Sequence, residues 1–230
     1  MAVVPPVAFI NSAPNKNGGH TPIKTALMEM RHTRFWDLRV QPSILLMSER
    51  ADRYWVWTTL RGLFPLAQLR KGYRCIGYTI LVQTDLGKAI PAGMILLIEA
   101  YPYLDAADLP TRQSIFLWFL TSAPDSVLRR LGVAEPPSLG KVLVDIGMAA
   151  SANLGFKGEI GLHAAASGKI DLLDFYGNPR KVGLRHLSMS ASLAVTRKND
   201  GRFFVADEKL AQGLLVARDA QRQWPTPVLP

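Results

Sequence analysis

The middle of the chain consists of short apolar runs separated by turn residues. Runs rich in aromatic and β-branched residues predict strands over residues 73–83 and 93–99. Residues 84–88 between them have the composition of a turn, so the two strands are expected to form an antiparallel pair. A third run, over residues 114–122, is apolar throughout, which is typical of a central strand covered on both faces.

The second half of the chain alternates helices with short strands. Apolar positions at i, i+3, i+4 and i+7 predict a helix over residues 138–153, with Ser138 as its N-cap and Gly155 as its stop. The pattern then predicts, in order, a strand over 160–165, a helix over 170–176, a strand over 186–196, a strand over 203–205 and a helix over 207–222. This order of elements indicates a mixed α/β domain, and it excludes a doubly wound parallel sheet.

Two helices are predicted near the start of the chain. Helical spacing extends over residues 24–35 and again over 43–69, where Gly62 and Pro65 mark a break. The first residues, in contrast, are rich in Asn, Gly, Pro and Ser, so folded structure is expected to begin near Ile23.

The chain is divided on these grounds into three parts. Residues 1–22 are expected to be an extended or flexible arm, residues 23–72 a helical N-terminal part of the domain, and residues 73–230 the core. Length and composition, with 48% hydrophobic and 20% charged residues, are those of a globular protein that can bury a core.

The positive charge is concentrated in the first third of the chain. Residues 1–75 hold eleven Lys and Arg against four Asp and Glu, which gives +7 of the total +9. Arginines alternate there with Phe, Tyr and Trp, a composition also found on surfaces that bind single-stranded nucleic acid. The helical spacing of the aromatic residues favours instead a core helix with solvated arginines, and both interpretations stay open.

Several classes of protein are disfavoured by composition. The only cysteine, Cys75, excludes an internal disulfide and a cysteine cluster for a metal, which suits a reducing cytoplasm. The four histidines have no metal-ligand spacing, so no metal is expected. The N-terminus has no signal-peptide pattern, and no apolar run reaches the roughly 18 residues of a membrane span. A cytoplasmic protein with no membrane partner is therefore expected.

The first candidate site is the start of the helix predicted at Ser138. The N–H groups of a first helical turn lack intrahelical partners, and together with the helix dipole they attract an anion. Lys141 in that turn adds a positive charge, so a phosphate group would fit there. The alternative is that the run Pro-Pro-Ser before the helix only caps it.

Four segments in a fixed order resemble the GCN5-related N-acetyltransferase (GNAT) family. They are SIFLWFLTSAP at 114–124, SLGKVL at 138–143, GFKGEIGLHAA at 155–165 and LDFY at 173–176. In that family the corresponding segments are a central strand, the end of a pyrophosphate-binding signature, the next strand, and a helix whose tyrosine lies beside the coenzyme A sulfur. The resemblance covers about residues 73–206. It implies a mixed, mostly antiparallel sheet with a central splayed strand pair and helices on both faces.

The resemblance also implies an activity and a cofactor. The protein would be an acyl-CoA-dependent N-acyltransferase that moves an acetyl group from acetyl-CoA to an unidentified small-molecule or peptide amine, as a monomer or homodimer. Tyr176 would protonate the departing thiolate, and Glu99 is the first candidate for the general base, with Asp125 second and a water chain as the alternative. The residues that the resemblance assigns to coenzyme A are Leu120, Ser122, Ser138, Leu139, Gly140 and Lys141. Backbone groups of the first two would bind the pantetheine amides as an added strand does.

Two alternative functions are left open by the sequence. The family signature has Arg or Gln where this chain has Glu135 and Gly where it has Ser138, which motivates a catalytically inactive GNAT-like binding module. The basic N-terminal third motivates an RNA-directed acetyltransferase, acting on aminoacyl-tRNA. Nucleic acid is therefore a second candidate partner.

Overall fold

A computed structural model describes residues 6–63, 74–103, 112–165, 172–187 and 200–223. Its strands are β1 (Ser12–Pro14), β2 (His20–Leu27), β3 (Cys75–Gln83), β4 (Ala89–Tyr103), β5 (Arg112–Ser122), β6 (Ile160–His163), β7 (Arg185–Leu187) and β8 (Phe203–Ala206). Its helices are α1 (Met30–Arg39), α2 (Gln41–Leu45), α3 (Trp57–Gly62), α4 (Asp125–Arg130), α5 (Gly140–Asn153), α6 (Leu172–Gly177), α7 (Glu208–Val216) and α8 (Asp219–Arg222).

The eight strands described form one sheet in the order β1-β2-β3-β4-β5-β6-β8-β7. All neighbours are antiparallel except β5 and β6, which are parallel. The parallel pairing joins only Ile115, Phe116 and Leu117 to β6, and β5 continues to Ser122 without it. The predicted mixed, mostly antiparallel sheet with a parted central strand pair is confirmed, as is the antiparallel pairing of β3 with β4.

The middle of the sheet is covered on both faces. In β4 the successive residues Met94, Ile95, Leu96 and Leu97 are fully buried, although successive strand residues point to opposite faces. Helices α1 and α5 both contact this strand. Helices on both faces therefore bury the central strands, as predicted.

Close packing of α5 on β5 depends on Gly147. A Cβ atom at this position would lie 2.4 Å from Cδ2 of the buried Leu117. The change Gly147→Ala is expected to lower the free energy of unfolding by about 1–3 kcal/mol in urea titrations, because overpacking outweighs the better helix propensity of Ala. The matched control is Gly213→Ala in the exposed part of α7, where an added Cβ would contact nothing beyond its own helix and a gain of up to about 1 kcal/mol is expected. Stabilisation by both changes would contradict this packing.

The N-terminal helix predictions are wrong in part. Residues 24–27 belong to β2, which pairs with β3, and helix α1 begins only at Met30. Of the helix predicted over 43–69, the structure has the end of α2 and the short α3, separated by residues 46–56; residues 64–69 lie outside the described residues. The start of α3 is fixed by Asp37, whose carboxylate accepts the N–H groups of Trp57 (2.8 Å) and Thr58 (2.9 Å). Spacing along the sequence does not show such a cap.

Folded structure begins before Ile23, contrary to prediction. Ile10 is fully buried, and β1 pairs with β2 inside the segment expected to be an arm. The N–H of Asn11 donates to the carbonyl of Gln221 (3.1 Å), which ties the arm to the C-terminal helices. These partners are distant in sequence, so local composition could not predict them.

The bounds of two later helices also differ from prediction, and one predicted strand is described only in part. The helix predicted from Ser138 begins at Gly140, and the helix predicted over 207–222 is divided into α7 and α8. Of the strand predicted over 186–196, the structure shows β7, while residues 188–196 lie outside the described residues.

Candidate active site

An opening lies in the middle of the sheet, where β5 and β6 part. Trp118, Phe119 and Leu120 are only half-buried, although they belong to a central strand whose residues 114–117 are buried. The cause is that β6 pairs with β5 no further than Leu117. We call this opening the central gap, bounded on one side by residues 118–122 of β5.

Two predicted cofactor-binding residues present backbone groups to the central gap. The N–H of Ala123 donates to the carbonyl of Ala92 (2.8 Å), on the β4 side of the strand. Because successive residues direct their polar groups to alternate edges, Ser122 and Leu120 direct theirs toward the gap. The Ser122 carbonyl there accepts a hydrogen bond from Arg50 Nη2 (2.9 Å), whereas the described residues show no such partner for Leu120.

The start of helix α5 adjoins the end of the central gap. Gly93 pairs with Ser122, and a Cβ atom on Gly93 would lie 3.1 Å from Cδ1 of Leu139. On the other side of the helix start, a Cβ atom on Gly140 would lie 2.6 Å from Cζ of Phe175 in α6. The end of β5, the first turn of α5 and helix α6 therefore meet at one place.

The first turn of α5 has backbone donors, but Ser138 does not supply one. The first intrahelical hydrogen bond is from the Leu143 N–H to the Leu139 carbonyl (2.9 Å), so the N–H groups of Gly140 and Lys141 precede the helical ladder. Leu139 is the N-cap and no side chain caps the helix. The Ser138 N–H donates to the Pro14 carbonyl (2.7 Å), so the prediction that Ser138 caps the helix is wrong and its N–H is already used.

Cationic side chains surround this first turn. The exposed Lys141 donates from Nζ to the Arg180 carbonyl (2.8 Å), and its own carbonyl accepts a hydrogen bond from Arg218 (3.0 Å). Partial desolvation and the charge of Arg218 lower the pKa of the Lys141 ammonium. The carboxylate of Glu135, the acidic departure from the family signature, is hydrogen-bonded by Asn15 Nδ2 (2.5 Å) of the N-terminal arm.

Tyr176 lies in α6 and is 5% exposed. Its ring packs against Phe175 (5.1 Å between centroids) and Phe204 (5.7 Å). Burial raises the pKa of the Tyr176 phenol well above its ordinary value, and the negative charge of Asp52 adds to this rise. The phenol therefore keeps its proton through the neutral pH range.

Arg50 and Asp52 are site residues that the sequence did not predict. Arg50 donates from Nε to Asp52 Oδ1 (2.8 Å) and from Nη2 to Oδ2 (2.5 Å), and Thr121 Oγ1 also donates to Oδ2. Asp52 is 5% exposed. The missed signal is the spacing Arg-x-Asp. Residues two apart do not face each other on a helix. Because a helix was predicted over this segment, Arg50 and Asp52 were not expected to form an ion pair.

Glu99 lies away from the part of β5 that would bind the cofactor. Its neighbour Ile98 pairs with Phe116, four residues before Leu120, which places Glu99 more than about 13 Å along the strands from Leu120. The Glu99 carboxylate lies 3.6 Å from Arg74 Nε instead. Burial and the charge of Glu99 raise the pKa of Cys75 to about 11. We therefore assign Glu99 no role beside the phenol.

Asp125, a metal site and a membrane-spanning helix were also considered from the sequence. Asp125, the second candidate base, forms an ion pair with Lys16 (2.8 Å) at the start of α4. Within the described ranges, no three His, Cys, Asp or Glu side chains are grouped so that they could hold a metal ion. The helices in these ranges are all too short or too polar to cross a bilayer.

Comparison with known proteins gives similar structures but no sequence relative. No family model matches the sequence, and no curated protein matches it. A mutant of the AtaT toxin bound to the C-terminus of the antitoxin AtaR is 10% identical, with a TM-score of 0.45 over 84% of this chain and 97% of that one. The same mutant with both the AtaR C-terminus and acetyl-CoA is 12% identical, with a TM-score of 0.43 over 84% and 97%.

A third similar structure is the KacTA–DNA complex. It is 11% identical, with a TM-score of 0.42 over 85% of this chain and 99% of that one. At such identities and TM-scores these likenesses assign neither an activity nor a partner to this chain. The function is therefore argued from the site alone.

Proposed function

We propose that the protein is an acyl-CoA-dependent N-acyltransferase that transfers an acetyl group from acetyl-CoA to an amine. The observation that carries this proposal is the central gap, because it joins three features needed for such a reaction. Among the described residues, the strand edge at Leu120 has no pairing strand, and the backbone donors of Gly140 and Lys141 lie at one end of the gap. Helix α6, which carries the protonated phenol of Tyr176, contacts that same end through Phe175.

The chain has groups that suit each part of coenzyme A. The strand edge at Leu120 would bind the pantetheine amides as an added strand does. The N–H groups of Gly140 and Lys141, with the Lys141 ammonium, would bind the pyrophosphate through the helix dipole and direct hydrogen bonds. Ser138 would contribute no backbone donor, because the arm holds its N–H.

Acetyl-CoA supplies the activated acetyl group, and the protein supplies position and a proton. Tyr176 holds a proton at its phenol oxygen, where the leaving thiolate needs one. A phenol whose pKa exceeds that of a thiol, near 8.5, stabilises the thiolate mainly by donating a hydrogen bond, which contributes about 10-fold to 100-fold. Holding the two substrates together contributes more of the rate.

Acetyl-CoA binding and turnover test this proposal. We expect calorimetry to give a Kd below about 1 mM, and an assay for free thiol to show acetyl-CoA consumption in the presence of amines. Binding without turnover of any amine would favour the inactive binding module. Absence of binding at millimolar acetyl-CoA would remove both interpretations.

Lys141 is expected to contribute to affinity for acetyl-CoA. The change Lys141→Ala should raise the Kd about 3-fold to 10-fold, since one partly solvated cation is lost beside the pyrophosphate. The matched control is Lys157→Ala, which removes an exposed lysine paired with Glu208 (3.1 Å) at the other end of α5. If the two changes have the same effect on the Kd, the first turn of α5 is not the phosphate site.

A second candidate, the RNA-directed acetyltransferase, is favoured by the grouping of surface arginines. Arg130 Nη2 of α4 donates to Ser43 Oγ of α2 (2.7 Å), and Arg39 at the end of α1 lines the same surface depression as these two residues. The resulting basic surface would suit a phosphate backbone. Retention on RNA that falls steeply with salt would support it, and retention insensitive to salt would contradict it.

A further inference from the structure

Asp52 and Tyr176 lie on opposite faces of the sheet, near the point where β5 and β6 part. Leu117 and Phe119 pair with the successive residues Leu97 and Leu96, so these two β5 side chains point to opposite faces. Helix α5 packs on the Leu117 face, at Gly147. Thr121, which donates to Asp52, lies two residues after Phe119 and shares its face.

Tyr176 belongs to the other face. Leu162 is the register partner of both Leu117 and Phe204, so all three side chains lie on the face covered by α5. The Tyr176 ring packs against Phe204 on that face. Leu117 is the last β5 residue that pairs with β6, so the contact with Phe204 places Tyr176 near the point where the two strands part.

We propose that Asp52 Oδ1 accepts an N–H of the acceptor amine and holds the amine across the central gap from Tyr176. This proposal rests on the proposed acetyl transfer. A carboxylate accepts about four hydrogen bonds. The described residues provide three, from Arg50 Nε to Oδ1 and from Arg50 Nη2 and Thr121 to Oδ2, and among them one position on Oδ1 is left.

The ion pair with Arg50 holds the Asp52 carboxylate in place and neutralises its charge. Arg50 Nη2 also donates to the Ser122 carbonyl, which anchors the pair to the strand edge. Arg50 and Asp52 together carry no net charge, so the site favours an amine that donates an N–H while it is neutral. A neutral amine keeps its lone pair for attack on the thioester.

An aromatic wall beside Asp52 defines the class of acceptor. The Trp55 ring contacts Phe119 edge-on (4.8 Å between centroids, 86°), and Trp118 adjoins Phe119 (5.0 Å). All three side chains are half-buried. The wall fits a primary amine carried on an apolar or aromatic group. A carboxylate next to the amine would lose its hydration against this wall without gaining a cationic partner, because Arg50 is already paired with Asp52.

Tryptamine and L-tryptophan form a matched pair of probes, since they differ only in the carboxylate beside the amine. The wild-type protein with acetyl-CoA is expected to acetylate tryptamine with a KM at least about 10-fold lower than that for tryptophan. The change Asp52→Asn should raise the KM for tryptamine about 10-fold to 100-fold, leave the Kd for acetyl-CoA within about 2-fold, and reduce the discrimination against tryptophan.

Two further variants separate binding from folding. Asp37→Asn removes a charge from a carboxylate that only caps α3, so the KM for tryptamine should not change. Thr121→Val removes one hydroxyl that holds Asp52 and should raise the same KM by a smaller factor, even if Asp52→Asn does not fold. Circular dichroism checks that each variant is folded.

The outcomes are distinct. The proposal is overturned if folded Asp52→Asn keeps the wild-type KM for tryptamine, if Thr121→Val does so when Asp52→Asn is unfolded, or if the wild-type protein prefers tryptophan. It is also overturned if the protein binds acetyl-CoA but acetylates neither probe. Failure to bind acetyl-CoA at all would instead remove the proposed function on which it rests.

Discussion

Replacing Arg222 by Met is expected to lower the free energy of unfolding by about 3–5 kcal/mol, because a buried carboxylate then loses its main partner. Asp145 of α5 is fully buried and accepts two hydrogen bonds from Arg222, at 2.6 and 2.8 Å. Arg218 Nη1 lies 3.5 Å from Asp145 Oδ1 and would be the only cation left beside this carboxylate among the described residues. Arg222 also donates to the Ala8 carbonyl (3.0 Å), so one side chain joins α8, α5 and the N-terminal arm.

Urea and thermal unfolding measure this effect, with a decrease in Tm of about 6–20 °C expected. The control is the double change Asp145→Leu with Arg222→Met, which removes both charges and should recover most of the lost stability. A single variant as stable as the wild-type protein would contradict the account of this ion pair.

The loss should also depend on pH. Burial raises the pKa of the Asp145 carboxyl above its ordinary value, and both arginines oppose this rise. Without Arg222 the folded-state pKa rises further, so the folded protein binds the proton more strongly than the unfolded chain does. The destabilisation is therefore largest at neutral pH and decreases as pH falls through that raised pKa.

The change Tyr176→Phe is expected to lower kcat about 10-fold to 100-fold, with the Kd for acetyl-CoA nearly unchanged. The phenol oxygen is the only atom removed, and the ring contacts with Phe175 and Phe204 remain. Because the pKa of Tyr176 is raised, kcat of the wild-type protein should not fall through ionisation of this phenol below about pH 10.

The control for this prediction is Tyr54→Phe, which changes a tyrosine that is 71% exposed. Steady-state rates with saturating acetyl-CoA should be the same for Tyr54→Phe and the wild-type protein. Equal kcat values for Tyr176→Phe and the wild-type protein would exclude the phenol as the proton donor.

The elements predicted well from the sequence are those specified by local signals. The strands on both sides of the turn at residues 84–88 follow from apolar runs and from Gly87, which has a φ of +77° there. The continuous apolar run of β5 correctly indicated a central strand. The helix over residues 140–153 followed from its spacing, and only its start was placed two residues too early.

The part of the site that was not predicted depends on contacts between distant residues. The Ser138 N–H is held by Pro14, and the carboxylate of Asp52 is held by Thr121, 69 residues away. No local sequence pattern predicts contacts between residues so far apart. The spacing of the aromatic residues near Trp55 is that of a helix, although the structure has no helix at that residue. Glu99 was chosen because it ends a predicted strand, but strand register, which decides its distance from the gap, is a property of the folded sheet.

A crystal structure of the protein with acetyl-CoA tests the central claim most directly. We expect the pyrophosphate at the N–H groups of Gly140 and Lys141, the pantetheine along β5 at Leu120, and the sulfur within hydrogen-bonding distance of the Tyr176 phenol. A structure in which β5 and β6 enclose no coenzyme, or in which acetyl-CoA binds elsewhere on the protein, would contradict the account.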